Sequence, residues 1–262
     1  MMKIVILNQK GGVGKSTVTV NLGYGLASAG KKTLVIDLDP QAHSSSIYSP
    51  HTPKNETVNE MFRDKNFNIS RVIRNALEIH EADEEHKTHE IENLFIVPSN
   101  IHLAATSELM SFRTHREKIL HNHLKRVEKE YQYVLVDCPP TLGFLTLNAV
   151  YTADLILIPT SYSKYSLDGI SDLFTSIAEV KETDNYNYRI LRNLKDTRSK
   201  RTNEVIEEQL VAFNDRLMQT VIRRCEAINQ SQMVNQPIFI FDSRSTGTED
   251  FTALTQEIIN HG

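Results

Sequence analysis

Residues 3–17 read KIVILNQKGGVGKST, and this stretch decides the fold of the chain. The apolar run Ile4–Leu7 predicts a buried strand, and the helical pattern of Ser16–Ala29 begins directly after the glycines. Glycines between a strand and a helix let the backbone curl, so that successive N–H groups point at one anion. The positive end of the helix dipole adds to that attraction. The stretch therefore predicts a phosphate-binding loop and not merely a structural turn.

The residues of the predicted loop have separate roles. Lys15 would place its ammonium on the β- and γ-phosphates of a nucleotide, and the Ser16 hydroxyl would bind Mg²⁺. The usual pattern, G-x-x-x-x-G-K-S/T, would need its first glycine at Gln9, but the chain instead carries Lys10 at the loop entrance. This departure marks a subclass of phosphate loops. The predicted nucleotide-binding residues of the loop are Lys10, Gly11, Gly12, Val13, Gly14, Lys15, Ser16 and Thr17.

Two further apolar runs end in carboxylates. Leu34–Ile36 leads into Asp37 and Asp39. Val134–Val136 leads into Asp137. Ligands of an open parallel sheet bind at the carboxyl ends of its strands, so we expect these side chains beside the phosphate loop. Asp137 and Asp37 would support Mg²⁺ and its water shell, and Asp39 would orient the water that attacks the γ-phosphate. Because Asp also favours turns after strands, each residue alone is compatible with a structural role.

The remaining pattern predicts a doubly wound α/β fold, with a mostly parallel sheet and helices on both faces, in one P-loop domain spanning residues 1–262. Short, uninterrupted runs rich in Val and Ile are typical of strands buried on both faces. Further predicted strands are Leu94–Val97, Leu155–Ile158, Tyr188–Leu191 and Ile238–Phe241. Further predicted helices are Arg116–Glu130, Leu167–Lys181, Asn203–Asp215 and Glu249–Asn260.

Composition limits the classes of function. The net charge is −4 and 40% of the residues are hydrophobic, so binding to nucleic acid or to an anionic membrane would need a local basic patch. No run approaches the roughly 18–20 apolar residues that cross a bilayer. Cys138 and Cys225 stand far apart, without metal or disulfide spacing, which suits a reducing cytosol.

The stretch Glu78–Glu92 differs from the rest, because it is rich in acidic residues and histidines. His80, His86 and His89 could suggest a metal site. No cysteine or other tight ligand cluster accompanies them, so we interpret the stretch as a solvated insertion or a helix face.

Three segments resemble the ParA/Soj family of partition ATPases, within the wider group that includes MinD and the nitrogenase iron protein. They are residues 8–45, 134–160 and 237–259. The resemblance implies ATP and Mg²⁺ as ligands, a homodimer formed on ATP binding, and binding to DNA without sequence preference. It also implies slow hydrolysis that a centromere-binding partner protein stimulates. A cytoplasmic, nucleoid-associated protein of plasmid partition or chromosome segregation is then expected.

The resemblance also implies roles for further residues that would contact the nucleotide. Lys10 matches the signature lysine that contacts the nucleotide of the partner subunit, although a solvated loop lysine is the alternative. Asn193 matches an adenine-contacting asparagine. Pro237 and Ile238 fall in the loop that closes over the base.

Candidate DNA contacts are basic. Arg201 matches a family contact, whereas a second family arginine falls at Ala227 here, so nearby basic residues would have to substitute. A solvated basic loop is the alternative for all of them. The candidates are Arg198, Lys200, Arg201, Arg223 and Arg224.

The same core is compatible with other classes of function. A MinD-like membrane ATPase would need a basic amphipathic tail, but Thr248–Gly262 contains acidic residues and no Lys or Arg, so no membrane binding is expected. An iron–sulfur reductase would need converging cysteines in ligand motifs. A regulatory switch that binds ATP with negligible turnover stays open. Larger relatives carry a helix-turn-helix domain before the first strand, and we expect none here.

Overall fold

The computed structural model describes residues 1–79, 88–163 and 170–261, and these ranges contain one eight-stranded sheet. Its order is β3-β4-β2-β5-β1-β6-β7-β8, parallel throughout except for the antiparallel pair β3–β4. The strands are β1 (Met2–Ile6), β2 (Thr33–Asp37), β3 (Arg74–Ile79), β4 (Thr88–Val97), β5 (Tyr133–Asp137), β6 (Leu155–Ser161), β7 (Tyr188–Lys195) and β8 (Leu217–Arg223).

Helices cover both faces of this sheet. They are α1 (Lys15–Ser28), α2 (His43–Tyr48), α3 (Val58–Arg63), α4 (His102–Met110), α5 (Ile119–Leu124), α6 (Phe144–Thr152), α7 (Ile170–Lys181), α8 (Lys200–Leu210), α9 (Glu226–Met233), α10 (Ile238–Phe241) and α11 (Thr246–His261). Single 3₁₀ turns or short 3₁₀ helices occupy Ile69–Arg71, Arg116–Lys118, Lys125–Val127 and Val211–Arg216.

The central strands are apolar on both sides because both faces are buried. In β1 and the residue after it, Ile4 and Ile6 join one core cluster, whereas Val5 and Leu7 join the other. This is the period of two that a pleated strand imposes. The first cluster contains residues of α1, α10 and α11, and the second contains residues of α3, α5 and α6. The predicted fold class is therefore confirmed.

The sheet order brings the functional strand ends together. β5 lies between β2 and β1, and Asp137 pairs in register with Asp37 on one side and with Ile6 on the other. Since all three strands run in the same direction, both aspartates lie at the edge where β1 enters the phosphate loop.

Two secondary-structure predictions are wrong, and a third, Asn203–Asp215, is α-helical only as far as Leu210, where the 3₁₀ helix Val211–Arg216 follows. Ile238–Phe241 is the short helix α10 and not a strand, because the amides of Ile240 and Phe241 donate to the Pro237 carbonyl. Arg116–Glu130 is not one helix, since α5 is flanked by 3₁₀ turns. The Leu120 amide donates to Asn148 Oδ1 at 3.1 Å instead of to a carbonyl of its own helix.

The described ends of the stretch Glu78–Glu92 form a hairpin and not a helix, and Thr88, His89, Glu90 and Glu92 are exposed to solvent. β3 and β4 pair antiparallel, with Glu78 opposite His89 and Ile79 opposite Thr88. His80 and His86 lie outside the described residues, as does the predicted helix start Leu167–Gly169. Within the described ranges, no three His, Cys, Asp or Glu side chains gather as a metal site.

The last helix is packed into the fold. A Cβ on Gly25 of α1 would lie 2.2 Å from Thr255 Oγ1, so α1 and α11 approach more closely there than any other residue would allow. At the other side of α11, Glu257 accepts hydrogen bonds from the backbone amides of Gln219 and Thr220 in β8. None of the helices in the described ranges has the length and apolar character that a bilayer span requires.

Candidate functional site

The loop between β1 and α1 curls through two glycines in left-handed conformation, Gly12 (φ 73°) and Gly14 (φ 86°). Asn193, near the end of β7, braces this loop: its Nδ2 donates to the Val13 carbonyl at 2.7 Å. A Cβ on Gly14 would lie only 2.5 Å from that same Nδ2. Both the backbone conformation and the close contact therefore require glycine at this position.

Both lysines of the loop already have partners within the chain. Lys15 is buried, and its Nζ donates to the Lys10 carbonyl at 3.2 Å. Burial lowers the Lys15 pKa, while Asp137, Cys138 and Asp39 act in the opposite direction. The Lys10 Nζ donates to Ser163 Oγ, just beyond β6, at 2.6 Å.

The two paired aspartates are fully buried and surrounded by hydroxyl donors from α2. Asp37 Oδ2 accepts from the Ser45 amide at 2.9 Å and from Ser45 Oγ at 2.7 Å. Asp137 Oδ2 accepts from Ser44 Oγ at 2.7 Å. Burial raises the pKa of both carboxyls, and the proximity of Asp137 raises that of Asp37 further. The Ser44 hydrogen bond and the nearby Ser16 hydroxyl counteract part of the rise in the Asp137 pKa.

The donor set fits a magnesium ion. Within the described residues, Asp137 Oδ1 is buried without a direct hydrogen-bond partner. A buried carboxylate oxygen of this kind is what a metal-bound water would satisfy, and the hydroxyl of Ser16 lies close enough to lower the pKa of Asp137. Ser16 and Asp137 can thus serve one oxygen-liganded cation, with Asp37 behind them.

Asp39 lies at the rim of this group. Its side chain is nearly buried, and its Oδ1 accepts from the Gln41 amide at 2.9 Å. Its own amide donates to Asp37 Oδ1 at 3.0 Å. The chain turn that follows β2 therefore fixes Asp39 relative to Asp37 through backbone hydrogen bonds.

Two cavities adjoin the loop. One, of about 440 Å³, is lined by Gly11, Lys15, Ser16, Asp39, Gln41 and Pro140, among others. The second, of about 360 Å³, is lined by Asn193, Leu194, Ile222, Arg224 and Cys225, among others. Gln232 of α9 and Thr17 line both, and the Gln232 Nε2 donates to Thr17 Oγ1 between them. The two cavities therefore meet at Thr17 and Gln232 beside the loop.

Some predicted residues lie elsewhere. Pro237 and Ile238 are buried against α1, with the Ile238 amide donating to Asn21 Oδ1 at 2.8 Å, and neither is among the described residues lining the two cavities. The adjacent Gln236 lines the larger cavity.

Sequence reasoning also missed Ser44, Ser45 and Gln232. The run Ser44–Ser46, shortly after the acidic turn, was the available signal for the first two.

The candidate DNA contacts divide into two groups. Arg223 is held inward by bonds to Asp250 at 2.7 Å and Glu249 at 2.9 Å, which raise its pKa, so its charge is already compensated. Arg198 makes an exposed pair with Asp196. The exposed residues Lys200 and Arg201 begin α8, directly after the strand that carries Asn193.

The sheet order, the glycine-rich loop and the strand-end carboxylates define a P-loop nucleotide-binding protein whose loop carries an additional lysine at its entrance. A family model described as an AAA domain matches residues 1–190. The chain belongs to the ParA/Soj family of partition ATPases.

Two curated relatives illustrate that membership. The chain is 33% identical over 263 residues to the sporulation initiation inhibitor protein Soj of Bacillus subtilis, covering 99% of this chain and 98% of the relative. It is 34% identical over 260 residues to the chromosome-partitioning ATPase Soj of Treponema pallidum, covering 98% and 96%. Among solved structures, a Borrelia burgdorferi protein described as a plasmid partition protein and bound to AMPPNP has the same fold, with a TM-score of 0.81 and 23% identity over 100% of this chain and 99% of that one.

Proposed function

We propose that this chain is an ATP-driven partition switch. In this proposal it binds Mg-ATP, forms a homodimer around the nucleotide, and then binds DNA without sequence preference. Slow hydrolysis, stimulated by a centromere-binding partner protein, resets it. The observation that supports this most directly is that Lys15, Ser16 and Asp39 line one cavity, with Asp37 and Asp137 paired behind it. Phosphoryl transfer to water requires this combination of cation, metal-binding oxygens and a water-orienting carboxylate.

The chain's own groups would divide the work of hydrolysis. Backbone amides of the loop and the Lys15 ammonium would hold the phosphates. Ser16, Asp137 and Asp37 would hold Mg²⁺, which when bound would supply positive charge to the phosphate oxygens. Asp39 would orient the attacking water.

The base of the nucleotide would occupy the smaller cavity. Asn193 lines it and would exchange its bond to the Val13 carbonyl for one to the base. Pro237 and Ile238 are buried and do not line either cavity, whereas Gln232 lines both, so we propose that Gln232 closes the site over the base.

Lys10 would link the nucleotide to dimerisation. Its ammonium is half-buried and bonded to the neutral hydroxyl of Ser163. For an ammonium, a phosphate oxyanion is a stronger acceptor than a hydroxyl, because it carries an opposite charge as well as a lone pair. We therefore propose that Lys10 leaves Ser163 for the nucleotide of a second subunit. The proposed catalytic residues are Lys10, Lys15, Asp39 and Asp137.

DNA would bind at the start of α8. Lys200, Arg201 and Arg198 lie together there, with Arg224 at the end of β8, and we leave Arg223 out because its charge is satisfied internally. A dimer would join two such small patches. Each neutralised phosphate contributes about −0.9 to the slope of log affinity against log salt, so binding should weaken steeply with salt.

The two competing functions make different demands. A membrane switch would need a free amphipathic helix at the surface, whereas α11 is packed between α1 and β8. A regulatory binder without turnover would share the ATP site but would not need Asp39.

The test is DNA binding with ATP, ADP and a non-hydrolysable ATP analogue, each at two salt concentrations. The proposal expects strong, salt-sensitive binding with ATP and the analogue and weak binding with ADP. The Lys15→Ala variant, which should not take up ATP, serves as the control for nucleotide dependence. Equal DNA binding in all three nucleotide states would refute the switch.

A further inference from the structure

Glu207 of α8 sits at the centre of a side-chain network that none of the steps above uses. Its carboxylate accepts hydrogen bonds from the Tyr162 hydroxyl, from Lys195 Nζ at 2.9 Å and from Arg192 Nη1 at 3.2 Å. The Lys195 ammonium also stands over the Tyr162 ring, 5.1 Å from its centroid. Only about a third of the Glu207 side chain is exposed, so solvent screens these contacts incompletely.

The partners of Glu207 stand next to residues that hold the phosphate loop. Tyr162 precedes Ser163, the acceptor of the Lys10 ammonium. Arg192 precedes Asn193, which donates to the Val13 carbonyl inside the loop. β6 and β7 pair in register here, Ser161 opposite Asn193, so both connections leave the same corner of the sheet.

The opposite end of the network is the helix that carries the proposed DNA contacts. Glu207 lies in α8, whose first residues are Lys200 and Arg201. The start of the helix is tied to the end of β7, since Asn203 Nδ2 donates to the Asp196 carbonyl at 2.9 Å. Hydrogen bonds thus attach α8 to the end of β7 at Asn203 and to residues of β7 and just beyond β6 at Glu207.

We infer that Glu207 is a positioning residue that couples occupancy of the phosphate loop to the placement of the basic start of α8. The inference rests on the proposed function, because it concerns the link between the nucleotide and DNA binding. In the proposed dimer, Asn193 would exchange its bond for one to the nucleotide of its own subunit and Lys10 for one to the nucleotide of the second. Glu207 holds Arg192, which precedes Asn193, and Tyr162, which precedes the Lys10 acceptor Ser163.

Charge and geometry support a directional link in preference to simple packing. One carboxylate meets two cations and a phenol, and the burial of Tyr162 together with its bond to Glu207 raises the pKa of that phenol. Hydrogen-bond networks of this kind hold their members in one arrangement more firmly than apolar contacts do. Loss of the Glu207 charge should therefore loosen α8 relative to the strand ends without opening the core.

The experiment compares Glu207→Gln with Glu208→Gln. Both variants lose one negative charge at neighbouring positions of α8, but Glu208 is exposed, whereas Glu207 holds the network. For each full-length protein, DNA affinity is measured with the non-hydrolysable ATP analogue and with ADP, and the ratio of the two affinities is the readout. ATP-analogue affinity without DNA and the melting temperature are measured alongside.

We expect Glu207→Gln to lower the ratio about tenfold, within the 5–150-fold range of typical couplings between sites, while Glu208→Gln keeps the wild-type ratio and both retain nucleotide affinity. Tyr162→Phe, which removes only the hydroxyl, should lower the ratio in the same direction and provides a second variant if Glu207→Gln does not fold. A Glu207→Gln ratio equal to that of Glu208→Gln, or equal weakening with both nucleotides, would overturn the inference. A wild-type ratio of one would instead refute the proposed function itself.

Discussion

Substitution of Gly14 by alanine tests the geometry of the loop without any ligand. Gly14 has a φ of 86°, and a left-handed conformation costs a residue with a Cβ about 1–2 kcal/mol. The new methyl would also displace Asn193 Nδ2, which lies 2.5 Å from the Cβ position, and the lost bond to Val13 is worth about 1 kcal/mol. The nucleotide-free Gly14→Ala variant should therefore lose about 2–3 kcal/mol of unfolding free energy.

Thermal unfolding in buffer with a chelator measures this loss, which corresponds to a fall in melting temperature of about 4–12 °C for a chain of this size. Gly11→Ala is the matched control, because no atom lies within 4 Å of its Cβ position and its φ is not in the left-handed region. In an Asn193→Ala background the clash and the hydrogen bond are both absent, so Gly14→Ala should cost only the backbone part of about 1–2 kcal/mol. Equal losses for Gly11→Ala and Gly14→Ala, or an unchanged loss in that background, would show that the bracing contact does not exist.

Four further predictions concern the site. In metal-free buffer, the free energy of unfolding should fall as pH rises from about 4 to about 8, because burial raises the folded-state pKa of Asp37 above its unfolded value. The Asp37→Asn variant should show a flatter dependence of melting temperature on pH. Parallel curves for the variant and the wild type would contradict this. Asp39→Ala should bind ATP and DNA but release phosphate at least about a hundredfold more slowly, and normal turnover would remove its assigned role. Lys10→Ala should abolish ATP-dependent dimers in light scattering, whereas normal dimers would mean that Lys10 contacts no second subunit. Arg201→Ala should weaken DNA binding and reduce the slope of log affinity against log salt by about 1. Lys129 is exposed before the amino end of β5, so Lys129→Ala should change neither quantity. Equal effects of the two substitutions would place the DNA elsewhere.

The sequence predicts the centre of the sheet better than its edges. β1, β2 and β5 are continuous apolar runs because both of their faces are buried, and such runs are easily recognised. β8 contains Gln219, which is exposed, and Thr220, so polar residues interrupt its apolar pattern, and only the tertiary structure shows its backbone amides bonded to Glu257 of α11. The four apolar residues of α10 are too few to show either a strand or a helix period.

Some residues of the candidate site could likewise be predicted from the sequence, and others could not. Asp37 and Asp137 could be found because a strand end is a local feature of sequence, and parallel strands place such ends together. Ser44, which bonds to Asp137 across 93 positions of the chain, could not, since that contact depends on where α2 packs. The charge of Arg223 suggested a DNA contact, but only the tertiary structure reveals Asp250 and Glu249 beside it.

The hydrogen bonds that the phosphate-loop side chains and Asn193 make within the protein should lower the affinity for a nucleotide. Lys15, Lys10 and Asn193 each have a protein acceptor already. In the proposed dimer, a nucleotide would therefore exchange the bonds of Lys15 and Asn193 in its own subunit and that of Lys10 in the second subunit, instead of gaining them outright. Each exchanged bond subtracts about 1 kcal/mol from the net affinity, because the protein partner must be given up first. Three such exchanges correspond to about a hundredfold weaker retention than the contacts alone would suggest. The product nucleotide should then dissociate readily, and the side chains of the empty loop should form their hydrogen bonds to the protein again.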